Sequence, residues 1–271
     1  MSGDQGEIIV DHLPFFYKAV VMFKKSLLSP HSCPKDHLVE LVEQIMEEEQ
    51  WEEVDEQLYR SLYPICRRVA EEVKGANSKE EMFGKIIHIY TMNHCYRKIN
   101  KAVAKDFEKE NPKPNKGKDL SLALYDLMLD AVLFCWTDPR LIPKTYTYRG
   151  ALDPWTYTTY RGINAKLTGD EDRKLFQKDK KVMFTQFISS STEESTAWRF
   201  SKNEKTGHRG TIFVFESDQS SRYKPRYIEH FSEYPGEKEC LFPIGAEFRV
   251  TKVEIASDAK NPDKIHLKLI N

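Results

Sequence analysis

The hydrophobic period of this chain changes once, near residue 140, and that change limits the folds open to it. Before it, apolar residues recur at three- and four-residue steps. Leu38, Leu41, Val42 and Ile45 do so between Asp36 and Glu49; Val54, Leu58, Leu62, Ile65, Val69 and Val73 do so between Trp51 and Lys74. Such spacing gathers side chains on one face of a helix. Ser78 followed by Glu81 has the form of a capping box. The helix it starts is expected to run through Ile86, Ile87, Tyr90 and Tyr96 to about Val103. Asn111–Lys118, with two prolines and a glycine, reads as a loop. A last helix is expected from Leu120 to Phe134, stopped by Thr137-Asp138-Pro139. Beyond residue 140 the apolar runs shorten and β-branched or aromatic residues dominate. Val182–Ile188, Thr211–Phe215, Glu247–Ile255 and Ile265–Leu269 read as strands. Helices and strands in separate blocks argue for an α+β fold. The expected division is a helical subdomain over residues 1–140 and a β-rich core over 141–271, joined in one globular unit.

Composition excludes several functions. The chain has 271 residues, 40% hydrophobic and 31% charged, which is enough for a packed core. A net charge of −1 gives no bulk attraction to nucleic acid or to an anionic membrane. The five cysteines are widely spaced and form no Cys-x-x-Cys pair, so neither a zinc site nor a disulfide framework is expected, and no metal is. Ala19–Phe23 is too short an apolar run to span a membrane. The polar start of the chain lacks the pattern of a signal peptide, which implies a cytoplasmic protein, or a secreted one if a leader precedes this sequence. There is no Gly-x-Gly-x-x-Gly and no Walker loop, which disfavours a Rossmann or P-loop nucleotide site.

Three short segments could carry chemistry. In Tyr234-Pro-Gly-Glu-Lys-Glu-Cys-Leu-Phe-Pro243, Glu237 and Glu239 stand two residues apart. On an extended strand both would face the same side. Paired carboxylates suit cleavage of a glycosidic bond, whose transition state is cationic; a charged hairpin end would read the same. In Thr158-Thr-Tyr-Arg-Gly-Ile163, Arg161 offers a planar fork suited to a diphosphate, and Gly162 permits close approach to the backbone. An ordinary strand end also fits, and Tyr148-Arg149-Gly150 repeats the tripeptide. Phe187-Ile-Ser-Ser-Ser-Thr192 ends a strand and precedes a helix start; it is either an N-cap or a source of hydroxyls that orient a carboxylate.

Taken in order, these segments resemble the arginine-specific mono-ADP-ribosyltransferase family, in its Arg–Ser–Glu branch. The matching residues are Tyr160-Arg161-Gly162, Phe187-Ile-Ser189-Ser-Ser191 and Ser232-Glu-Tyr-Pro-Gly-Glu237-Lys-Glu239-Cys-Leu-Phe-Pro243, with Phe248-Arg-Val250 after them. Tyr90-Thr91 to Asn100 is similar to a family helix that packs on the NAD site, so the likeness covers about residues 80 to 256. It departs from the family at Ile188 and Ser190, where Thr is usual. Arg161 lies 28 residues before Ser189 and Arg149 lies 40 before it (189 − 161 and 189 − 149); the shorter gap is nearer the family pattern and favours Arg161.

The resemblance implies an ADP-ribosyltransferase fold whose mixed, two-sheet β core holds an NAD cleft. It implies NAD as substrate and an arginine-bearing protein as acceptor. Arg161 would hold the diphosphate and Gly162 the nicotinamide amide, with Ser189 and Ser191 also in the NAD site. Glu239 would bind the ribose 2′-hydroxyl and stabilise the sugar cation, and Glu237 would orient the acceptor guanidinium. Arg226–Gly236 would recognise the target through Tyr227, Phe231 and Tyr234. The competing expectations are an NAD glycohydrolase with water as acceptor, and a non-catalytic NAD-binding module. His230 reads as a surface residue and Cys240 as a buried strand residue.

Overall fold

A computed structural model describes residues 57–92, 95–100, 156–167, 174–184, 186–218, 221, 223–243 and 245–270, with short stretches at 7–9, 38–40, 42–43, 123–124, 127–129 and 131–132. Arg149, the Asn111–Lys118 loop and the Thr137–Pro139 stop lie outside the described residues. The chain divides into two units by internal packing. One takes in Phe15–Asp138 and His230–Tyr234; the other takes in Met1–Pro14, Pro139–Glu229 and Pro235–Asn271.

In the first unit, α1 (Gln57–Lys74) buries Leu62, Ile65 and Val69, the face expected from their spacing, together with Cys66, and it continues through Pro64. Helix α2 (Lys79–Thr91) starts as its sequence dictates. Ser78 Oγ accepts from the Glu81 amide (3.1 Å), and the Glu81 carboxylate reaches back to the Asn77 amide (2.9 Å). The helix ends earlier than expected. Met92 is extended, with φ −70° and ψ 142°, and residues 95–100 are again helical. This end is held both locally and from afar. Thr91 Oγ1 donates to the His88 carbonyl and accepts from the amide of Glu233, both at 2.9 Å, so the last turn is held by a segment 142 residues away. The same segment sets the Phe231 ring against Gly84, where an added Cβ would lie 2.8 Å from it. His88 Nδ1 donates to the Phe231 carbonyl (3.1 Å).

The second unit is one mixed sheet. Its strands are β1 (Glu7–Ile9), β2 (Thr156–Ile163), β3 (Lys181–Phe184), β4 (Ile188–Ser191), β5 (Thr211–Asp218), β6 (Arg226–Tyr227), β7 (Glu239–Phe242), β8 (Glu247–Glu254) and β9 (Asp263–Leu269). They lie in the order β1-β3-β8-β9-β5-β2-β4-β7-β6. β1 with β3 and β5 with β9 are parallel, and the other pairs are antiparallel. Two sheets were expected. The ladder is continuous, but β2 meets β4 through the single pair Tyr160–Ser191, a narrow seam between six strands and three. The Val182–Ile188 run, expected as one strand, divides into β3 and β4, and the serines form the end of β4. Phe184, Phe213, Phe215, Phe242 and Phe248 form the centre of the core, with ring centroids 5.1 to 6.1 Å apart in tilted, edge-on and stacked pairs.

Helix α3 (Glu194–Phe200) lies close against β2. A Cβ at Gly162 would fall 1.9 Å from the Ala197 carbonyl oxygen and 2.8 Å from the Ser201 amide nitrogen. The glycine is thus required by helix-on-strand packing, whatever its backbone binds. Backbone cannot move aside as a flexible side chain can, so Gly162→Ala is expected to cost about 3 kcal/mol or more, measurable by chemical denaturation.

Candidate active site

Three strands of the sheet converge on the two glutamates. β4 pairs antiparallel with β7 so that Ser191 stands opposite Glu239 and Ser189 opposite Leu241. Ser189 Oγ donates to the Glu239 carboxylate. On β2, the half-buried Arg161 donates from Nη1 to the Ser189 carbonyl (3.1 Å). Arg161, Ser189 and Glu239 therefore form one connected group, in which the serine ties the cation and the carboxylate to the same strand.

The glutamate pair is not built as its spacing suggests. Glu237 closes a 3-10 turn, Pro235–Glu237, and only Glu239 belongs to a strand. Between them Lys238 takes φ +47°, the left-handed region that a side chain enters at a cost. The same-face alternation of an extended strand does not apply across this junction. Contacts from the β4–α3 corner hold the turn instead. Ser191 Oγ donates to the Glu237 carbonyl (2.7 Å) and accepts from the Glu193 amide (3.0 Å). The Thr192 amide donates to the Lys238 carbonyl (3.2 Å), and the Lys238 ammonium pairs with the Glu193 carboxylate. The Lys238 amide closes the turn on Pro235 (3.1 Å), and the Ile228 amide binds the Glu239 carbonyl (3.0 Å). The serine run is thus no N-cap: Glu193 occupies that position without a side-chain bond. Two serines hold the two glutamates, one through a carboxylate and one through the backbone. Ser191, expected among the NAD-binding groups, has its hydroxyl proton committed to the turn.

The two carboxylates have different surroundings. Glu239 has the Ser189 hydroxyl. Glu237 faces Arg199, whose Nη2 lies 3.2 Å from its Oε1. Partial burial raises the Glu237 carboxyl above its ordinary value of 4.5, against the opposing pull of Arg199. A raised folded-state pKa means that ionised Glu237 weighs against the fold. Glu237→Gln is therefore expected to raise the melting temperature at pH 7. The gain should shrink as pH falls through the raised value and vanish below 4.5, where the carboxyl is protonated folded or unfolded. Melting curves across this range check the sign.

The expected target segment is divided. Arg226 and Tyr227 form β6 on β7, whereas residues 230–234 pack within the helical unit. Phe231 packs on Gly84, the Tyr227 hydroxyl donates to Glu229, and Tyr234 is 48% exposed. Tyr234 is therefore the aromatic best placed to meet solvent. His230 is exposed and Cys240 is buried in β7, as expected. Sequence reasoning missed Glu193 and Arg199. The one local signal of Glu193 is its position at the helix start after the serines, and Arg199, in the last turn of that helix, has none; their contacts with Lys238 and Glu237 span 45 and 38 residues. An open pocket of about 490 Å³ lined by Lys166, His208, Arg209 and Asp258 contains none of the site residues. Among the described residues there is no group of three metal-ligating side chains and no helix long and apolar enough to cross a membrane.

Residues 28–271 match the family described as ART: NAD:arginine ADP-ribosyltransferase. Among solved structures, the chain is similar to Plx2a, an ADP-ribosyltransferase toxin from Paenibacillus larvae, at 15% identity over 78% of this chain and 97% of that one, with a TM-score of 0.45. It is also similar to the Clostridium limosum C3 exoenzyme, at 17% identity over 79% of this chain and 95% of that one, with a TM-score of 0.47. The ADP-ribosyltransferase HopU1 of Pseudomonas syringae pv. Tomato DC3000 is a third, at 15% identity over 86% and 87%, with a TM-score of 0.46. No curated protein matches the chain.

Proposed function

The chain belongs to the NAD:arginine ADP-ribosyltransferase family, and on that footing we propose that it transfers ADP-ribose from NAD to arginine side chains of acceptor proteins, with release of nicotinamide. The observation that carries this reading is the linked set of Arg161, Ser189 and Glu239, with a second carboxylate, Glu237, that already accepts a guanidinium.

The residues fit NAD by their chemistry. Arg161 supplies a charge-assisted fork for the diphosphate. The backbone of Gly162 binds the nicotinamide amide. Glu239, oriented by Ser189, accepts from the ribose 2′-hydroxyl and places negative charge where the sugar becomes cationic. The leaving nicotinamide is already cationic in NAD, so no general acid is required. What remains is to stabilise the cation and to place the acceptor. Glu237 does the second: it binds the guanidinium of the acceptor and takes its proton as the new bond forms. Its raised pKa suits that proton transfer better than an ordinary carboxylate would. Ser191 acts on both steps indirectly, by holding the turn between the glutamates.

Arginine as the acceptor is tested by mapping. A mixture of proteins incubated with the enzyme and NAD is digested, and the modified residues are identified by mass spectrometry. The expected adducts are on arginine; adducts confined to asparagine or cysteine contradict the reading.

A further inference from the structure

The carboxylate assigned to the acceptor is occupied by an arginine of the same chain. Arg199 stands in the last turn of α3, its side chain 64% exposed, with Nη2 3.2 Å from Glu237 Oε1. Its guanidinium also lies over the ring of Phe200, 5.2 Å from the centroid, and that ring is itself 49% exposed. We propose that Arg199 is an acceptor in its own right, so that the enzyme ADP-ribosylates itself at this residue in cis. The inference rests on the role given above to Glu237.

Three features suit Arg199 to this role. It meets the one carboxylate that the reaction uses for a guanidinium. Its exposed ion pair is of the weak kind that opens readily, so external acceptors can take its place. And its side chain is 64% exposed, whereas Arg209 in the same unit donates from Nη1 to the Trp198 carbonyl and to Ser201 Oγ and lies over the Trp198 ring at 4.0 Å. In the step itself, a terminal nitrogen of Arg199 bonds to C1′ of the nicotinamide ribose. The bond from C1′ to the nicotinamide nitrogen breaks, and its electron pair leaves with neutral nicotinamide. The guanidinium proton passes to Glu237 and on to water. NAD is the only co-reactant. The product leaves an ADP-ribosyl group where an external guanidinium has to sit, so self-modification is expected to slow later transfer.

The test is a time course of the full chain with NAD, with peptide mapping at several protein concentrations. ADP-ribose is expected on Arg199 at a rate independent of protein concentration. Arg67, which is 53% exposed and paired with Glu71, serves as a control and should stay unmodified. A tagged Glu239→Gln copy mixed with active enzyme should gain no adduct at Arg199. Preincubation with NAD should lower transfer to agmatine several-fold, and Arg199→Lys should abolish both the adduct and this decline. Agmatine transfer with Arg199 unmodified overturns the proposal. So does an adduct that forms only between copies, or one spread equally over Arg67. Failure to release nicotinamide at all overturns the function proposed above, and this inference with it.

Discussion

Glu239→Gln is expected to slow nicotinamide release by about 10²–10³-fold, the usual loss when one preorganised electrostatic partner of a transition state is removed. Glutamine keeps the shape and can still meet the Ser189 hydroxyl that Glu239 binds. It lacks the charge that faces the sugar cation. Ground-state NAD carries less charge at C1′ than the transition state does, so the effect should fall on kcat and leave KM nearly unchanged. A variant that folds, binds NAD and turns over normally would place the chemistry elsewhere. The fold is not expected to suffer, because Glu239 is only half-buried at the first residue of β7.

Glu237→Gln should act differently. A hydrogen bond to a charged group contributes about 1.5–3 kcal/mol, so loss of the carboxylate should reduce transfer to agmatine by roughly 10–100-fold. Release of nicotinamide to water should persist, because Glu239, Ser189 and Arg161 are untouched. The ratio of transfer to hydrolysis is therefore the quantity to measure. Equal loss of both activities would contradict the separate roles of the two glutamates. The same substitution is expected to stabilise the fold at neutral pH, so a gain in melting temperature beside a loss of transfer would mark Glu237 as a residue kept for function rather than for stability.

The sequence was most informative where local rules operate. The Ser78–Glu81 cap, the buried face of α1, and the alternating strands β8 and β9 depend on neighbours within a few residues. The order Arg161, Ser189, Glu239 was legible as well, because the family pattern spans all three. What the sequence did not reveal depends on contacts between distant segments. The turn between the glutamates is held by Ser191, Thr192 and Glu193, and nothing in Pro-Gly-Glu-Lys-Glu signals that Lys238 will be left-handed. At Thr91, where α2 stops, the side chain is bonded by the distant Glu233 amide. Gly162 reads as an opening for a ligand until the backbone of α3 is found beside it. Arg199 has no motif at all; only the folded chain brings it to Glu237.

The central claim is that ADP-ribose passes from NAD to a guanidinium at this site. Its most direct measurement is the reaction of the full chain with NAD labelled in the adenine, followed with and without agmatine. The expected result is faster nicotinamide release in the presence of agmatine, matched by labelled ADP-ribosyl-agmatine in equal amount. Release that agmatine leaves unchanged, with free ADP-ribose as the sole labelled product, would contradict the account.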